Sequence, residues 1–209
     1  ARFFILFLKF CKERGIIANL TVHENTLLNH KEKLIYWLER KLINGIGISP
    51  YMYTEEMINF CIKFPSAVIH TIAGITSIEE YNKIKDKGIK ILILGYKDFG
   101  RGVKYYQDLE TDVKNKIEEL KEIVKHFPKY FNVVSFDNLA IKQLKPEEWL
   151  TPEQWERFFR GDDGSHTMFI DLVNETYAMN SMQERKNHKP LTNEIRDMLK
   201  DVQSQKEVR

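Results

Sequence analysis

Cysteine is nearly absent: the 209 residues contain two, Cys11 and Cys61. Disulfide-stapled scaffolds are cysteine-dense, so that class is excluded and a reducing, cytoplasmic setting is expected. Charge of one sign is not in excess either. Lys and Arg number 32 against 30 Asp and Glu, a net charge of +2. Nucleic-acid binding needs a concentrated basic face, so nucleic acid is not an expected partner. No run reaches the roughly 18 apolar residues of a bilayer-spanning helix, so no membrane partner is expected. The apolar opening, residues 2–8, imitates the apolar stretch of a signal peptide. Lys9, Lys12, Glu13 and Arg14 follow where a small-residue cleavage site would stand, so it reads as a core-facing helix. The first residue is Ala rather than Met, which reads as a start that is missing or processed.

Other absences narrow the chemistry. No glycine-rich phosphate fingerprint follows the first strand-like run, which argues against dinucleotide binding. His23, His70, His126 and His166 have no helical i, i+4 pairing and no Cys-x-x-Cys companion; no metal ligand is assigned. No Ser–His–Asp set can be argued without geometry. Cys11 and Cys61 read as small buried hydrophobes.

What is present is alternation. Residues 15–22, 45–49, 67–73, 89–94 and 131–136 are short β-rich runs, mostly continuous and apolar. That pattern suits parallel strands buried on both faces. Helical stretches separate them: 3–13, 30–41, 55–63, a segment capped by Ser77 with Glu80 reaching back and ending near Gly88, and 109–125. Strand and helix in turn predict an α/β fold with right-handed crossovers, either an open doubly wound sheet or part of a (β/α) barrel. The domain reading is a partial barrel over 1–143 and a C-terminal extension over 144–209. In the extension, Thr151-Pro152 opens a helix, and residues 161–165 form a loop. Residues 167–173 and 176–179 flank a hairpin turn, Thr192 caps a last helix, and the tail from 203 is frayed.

Ligands of parallel α/β folds sit outside the carboxyl ends of the strands. That rule selects Thr21 and His23 after the first run, Ser49 after the second, His70, Ile72 and Gly74 after the third, and Gly95, Tyr96 and Lys97 after the fourth. The fourth loop also carries Gly100, Arg101 and Gly102; Lys97 and Arg101 suit a carboxylate or phosphate. The competing reading of that loop is a solvated turn. Asp137 and Asp171 are candidate general bases, with helix capping an equal role for Asp137. No catalytic residue is assigned.

In the order of these segments the chain resembles the radical S-adenosylmethionine proteins. Residues 7–21, Phe7 through Thr21, resemble the helix and third strand of that barrel, and Gly45–Ser49 resembles its fourth strand. His70-Thr71-Ile72-Ala73-Gly74 resembles the fifth-strand motif G-x-I-x-G-x-x-E, with Ile72 and Gly74 in register. His70 replaces the motif's first glycine, and Ser77 stands where its glutamate would be. Residues 91–95 resemble the sixth strand, and the C-terminal part is similar to extensions on bacterial and phage members. The resemblance implies that the fourth strand's end contacts the ribose and methionine portions of S-adenosylmethionine. The fifth and sixth strands would border its adenine.

The family's C-x-x-x-C-x-x-C motif and its Gly-Gly-Glu segment are absent. Three thiolates hold the family's 4Fe–4S cluster, and Cys11 and Cys61 do not supply them. The resemblance therefore implies the later portion of a radical enzyme: S-adenosylmethionine as cofactor, a cluster only in a full-length form, and no radical chemistry alone. The alternatives are a cluster-free binding or regulatory module completed by a missing N-terminal segment or a partner chain, and an unrelated α/β enzyme acting on an anionic small molecule.

Overall fold

The computed structural model describes residues 2–98 and 102–205. The chain divides into two compact units, Ala1–Trp149 and Leu150–Arg209. The first is α/β. Helix α1 (Arg2–Glu13) leads into β1 (Asn19–His23), α2 (Glu24–Asn29), α3 (Lys31–Glu39), β2 (Gly45–Ser49), α4 (Glu55–Lys63), β3 (Ala67–Ile72), α5 (Ile78–Ile84), β4 (Lys90–Leu94), α6 (Gly102–Val124), β5 (Val133–Phe136) and α7 (Asn138–Leu144). The five strands form one sheet in the order β1-β2-β3-β4-β5, every pair parallel. Chain order and sheet order coincide, so successive right-handed crossovers lay the helices on one face.

Burial follows that geometry with a period of two. Val22, Ile46, Ile48, Ala67, Ile69, Thr71, Ile91 and Ile93 are buried beneath the helices. Between them, Asn19, Thr21, His23, Ile72, Val133 and Ser135 are exposed, and Gly47, Ser49, Val68, His70, Lys90, Leu92 and Leu94 are half-buried. The expectation of strands buried on both faces is therefore corrected: in this chain one face is covered and the other open. An apolar strand run records a low demand for water on either side; it cannot show whether both sides have a cover.

Local signals explain where elements stop. Residues 15–18 are not strand. Gly15 takes a left-handed φ of 68°, and the Ile16 N–H donates to the Cys11 carbonyl at 2.8 Å, closing α1. The stretch from residue 30 is preceded by a short helix, α2, that propensity did not announce; His23 caps it, Nδ1 accepting from the Asn25 N–H at 3.4 Å. Ser77 and Glu80 form the expected capping box on α5. That helix ends at Ile84 rather than near Gly88: Asp86 turns left-handed (φ 58°), and its N–H donates to the Tyr130 carbonyl. Helix α6 starts before residue 109 and bends there, where Leu109 leaves helical geometry (φ −134°, ψ 23°). The first unit runs on past α7, whose Leu144 is fully buried in the core, with Trp149 packed against the same core.

Helix α1 places Leu8 and Cys11 in the core, as a core-facing helix should. Its opposite side is apolar as well: Phe3, Leu6, Phe7 and Phe10 are exposed. Among the described residues no helix is long and apolar enough to cross a membrane.

The second unit contains α8 (Pro152–Phe158), a three-stranded antiparallel sheet of β6 (Phe169–Asp171), β7 (Thr176–Ala178) and β8 (Lys189–Pro190), and α9 (Ile195–Ser204). The expected hairpin is β6–β7, while β8 is too short to leave a sequence pattern. Thr151 caps α8 in a capping box. Thr192 does not cap α9 directly; Glu194 is the N-cap, and Thr192 Oγ1 accepts from its N–H at 3.4 Å. A small core of Tyr177, Met179, Met198 and Val202 holds the unit together.

Candidate functional site

Parallel pairing brings all five carboxyl tips to one edge of the sheet, and strand register sorts the open face into rows. His23 pairs with Ser49, His70 with Leu92, and Leu92 with Ser135. Ser49 and His70 follow the paired Ile48 and Ile69, so the row reads His23, Ser49, His70, Leu92, Ser135 across the sheet. One step below lie Thr21 opposite Gly47, Gly47 opposite Val68, and Lys90 opposite Val133. One step above lies Ile72 opposite Leu94. Side chains two apart along a strand share a face. Thr21, His23, Ser49, His70 and Ile72 are thus brought together on the open face toward the tips.

The polar members have different surroundings. Nδ1 of exposed His23 is engaged by the Asn25 N–H. His70 is half-buried, and that burial lowers its imidazole pKa below the ordinary 6.5, keeping the ring neutral near pH 7. The ring lies over Gly47. A Cβ at that position would fall 2.4 Å from His70 Nε2 and 3.1 Å from Thr21 Oγ1. Glycine at 47 is therefore what lets the imidazole sit against the β2 backbone.

The remaining candidates are held elsewhere. Gly74 is buried with a φ of 81°, and a Cβ there would meet Val113 Cγ1 of α6 at 2.8 Å. Its requirement for glycine comes from packing against α6 together with the left-handed backbone. A Cβ at Gly95 would lie 2.5 Å from Leu139 Cγ, so that residue packs on α7, and its N–H donates to Asp137 Oδ1 at 2.9 Å. Tyr96 is buried: its N–H donates to Gln143 Oε1 and its hydroxyl to the Gly102 carbonyl, at 2.9 and 2.7 Å. Lys97 is exposed beside that turn. Gly100 and Arg101 lie outside the described residues. Asp137 is the N-cap of α7, accepting from the Ala140 N–H at 2.7 Å as well as from Gly95. Asp171 accepts from the Val173 and Asn174 N–H groups and from Asn174 Nδ2, which holds its carboxyl below the usual range. Both aspartates are occupied in organising turns: Asp137, at the carboxyl end of β5, caps α7 and holds the Gly95 N–H, and Asp171 holds the β6–β7 turn.

Strand-end position also selects Glu24, but gives it no role. Its side chain is buried at the start of α2 and accepts from the Tyr51 and Met52 N–H groups at 2.8 and 2.7 Å. A carboxylate thus fastens the β1 corner to the loop after Ser49 and orders that loop next to the tips. Its only signal in the chain is its place directly after a strand-end histidine. Thr71, also at a strand end, is given no role by the sequence, and Tyr81 is not singled out by it. The Tyr81 hydroxyl donates to Thr71 Oγ1 at 2.9 Å beneath the sheet, anchoring β3 between His70 and Ile72. Burial raises the Tyr81 hydroxyl pKa strongly.

Cys11 and Cys61 are free and buried, and burial pushes the Cys61 thiol up to about 12. The two cysteines sit on α1 and α4, and two are fewer than the three thiolates that the cluster of the radical enzymes takes. These residues do not fit a 4Fe–4S cluster, which leaves no step to be derived through one. Two surface grooves, of about 480 and 230 Å³, lie among the helices, one lined by Lys9, Lys12, Tyr36 and Arg40 and the other by Tyr81, Phe127 and Phe131. Neither of these two grooves is at the tips. Compared with family models, curated proteins and solved structures, the chain finds no match.

Proposed function

We propose that the chain is the later part of a radical S-adenosylmethionine barrel and binds S-adenosylmethionine across the tips of β1–β4. The strand order carries this reading. Five parallel strands follow in chain order, with the buried residues confined to the helix side. A doubly wound sheet reverses its order at a switch point and is covered on both faces, whereas a barrel wall keeps chain order and turns one face inward. On that face His23, Ser49 and Ile72 stand nearest the carboxyl edge and would supply polar and apolar contacts to the ligand. S-adenosylmethionine would bring an activated sulfonium; the chain's own residues bind and orient it. With two buried cysteines, this chain holds no cluster and performs no radical step alone. Free buried thiols accord with a cytoplasmic setting.

Equilibrium dialysis of S-adenosylmethionine tests the reading. Wild-type chain binds it, and Ile72→Asp, which places a charge on the exposed tip, abolishes binding. No binding by wild type overturns the reading. A stoichiometric 4Fe–4S cluster after anaerobic reconstitution would overturn the statement about the cysteines.

A second reading is favoured by one specific observation, the apolar outer side of α1. Exposed Phe3, Leu6, Phe7 and Phe10 give α1 a second apolar flank beside its core-facing one, which favours a cover. A module whose β1 edge and α1 are covered by a partner chain fits that feature, and sedimentation of the purified chain, monomeric or associated, separates the two.

A further inference from the structure

One arrangement on the open face is not needed for contacts at the tips. His70 Nε2 and Thr21 Oγ1 lie 2.4 and 3.1 Å from the same point above Gly47, and so within about 5.5 Å of each other, the sum of those distances. Neither side chain has a hydrogen-bond partner among the described residues. Two hydrogen bonds of about 2.8 Å bridge such a separation through a single oxygen atom. Beneath the two groups is the Gly47 backbone, on which the Nε2–Cε1 edge of the His70 ring rests because Gly47 has no side chain.

The chemistry of the pair selects its guest. A neutral imidazole offers one donor and one acceptor nitrogen, and a threonine hydroxyl offers both functions. A hydroxyl group donates to one and accepts from the other. A carboxylate or phosphate only accepts, and the pair brings it no positive charge. Among the neighbouring positions on this face, His23 already accepts from Asn25, and Lys90 lies lower down, opposite Val133 on the far side of the sheet.

We propose that Thr21, Gly47 and His70 form a notch for a hydroxyl group of a neutral sugar or polyol moiety. Its occupant is a second molecule, the substrate, distinct from the S-adenosylmethionine at the tips. The role as substrate site rests on the proposed function, but the binding itself does not. His70 is a positioning residue in this account, gripping the hydroxyl without entering the chemistry.

The test uses the full chain and observes the His70 ring by NMR while methyl β-D-ribofuranoside, sodium phosphate and S-adenosylmethionine are titrated separately. The ribofuranoside is expected to shift the His70 ring resonances. Thr21→Val should weaken that binding about fivefold, the worth of one hydrogen bond. His70→Phe, which keeps the ring shape without its nitrogens, should abolish it, and His70→Gln should retain part of it. Unchanged thermal unfolding in the variants separates loss of contact from loss of fold. A response to phosphate alone, or no response to any probe, overturns the notch. So does S-adenosylmethionine binding that shifts His70 and is weakened equally by Thr21→Val. A ribofuranoside response without any S-adenosylmethionine binding sinks the proposed function and leaves the notch standing.

Discussion

The two faces of the five-stranded sheet are made by the same strands and differ in almost every physical respect. Under the helices, Ile46, Ile48, Ile69, Ile91 and Ile93 are at most 1% exposed and form a dry layer in which the buried Thr71 hydroxyl is partnered by that of buried Tyr81. On the other side the same backbone presents Thr21, His23, Ser49 and His70 beside the bare backbone of Gly47. The covered face holds the fold together, and the open face can hold something else. Stability and binding are separated by a one-residue step along each strand, because successive side chains point to opposite sides.

Substitution can break this division. The largest loss should come from the covered face: Ile69→Ala, at the centre of the middle strand, should cost about 3–4 kcal/mol by urea unfolding. A loss under 1 kcal/mol there would mean that the helical layer does not seat on the sheet. Next is Glu24→Ala, which removes a buried side chain and the acceptor of the Tyr51 and Met52 N–H groups and should cost about 1–3 kcal/mol. Glu24→Gln, keeping one acceptor oxygen, should cost less in the same measurement.

The two glycines sharpen the comparison. Gly74→Ala combines a φ of 81° with a 2.8 Å approach to α6, and should cost about 1–3 kcal/mol. Gly47→Ala meets side-chain atoms alone, the Nε2–Cε1 edge of the His70 ring and, at 3.1 Å, Thr21 Oγ1. It should cost less than Gly74→Ala while displacing that ring, which a change in the His70 NMR resonances would reveal.

His70 also predicts a pH dependence. Its folded-state pKa lies below the 6.5 of the unfolded chain, so the unfolded chain binds the proton first. The stability associated with the neutral ring is complete above pH 6.5 and declines as pH falls through 6.5 toward the folded value. His70→Gln should flatten that part of the stability profile. The smallest effect belongs to the exposed open face: Thr21→Val should change stability by no more than about 0.5 kcal/mol, whatever it does to binding.

Much of the architecture was legible in the chain. The β-rich runs at 45–49, 67–73 and 89–94 mark β2, β3 and β4 closely, because buried strands need unbroken β-branched residues. Ser77 and Thr151 mark helix starts, since a cap is a local hydrogen bond between residues three apart. The hairpin at 169–178 was legible from its turn. The extra helix α2 was not: its six residues have little propensity of their own and are held by contacts with β1, β2 and α4. For the site, strand-end position named Thr21, His23, Ser49, His70 and Ile72 together, and register put them on one face. The same rule also named Gly74, Gly95 and Tyr96, whose places are explained by packing on α6 and α7 and by hydrogen bonds to Gln143 and Gly102. Strand-end position tells which edge a residue occupies and leaves its direction open.

By itself the amino-acid order determined the alternation of strand and helix, the parallel sense of the sheet and the edge toward which polar groups gather. These follow from local periodicity and from the handedness of short crossovers. Only the tertiary structure decided that one face of the sheet is open, that Glu24 ties two strand-end loops together, and that His70 rests on Gly47 beside Thr21. Each of these joins residues on different strands or loops, and such pairings are set by register and packing across the sheet.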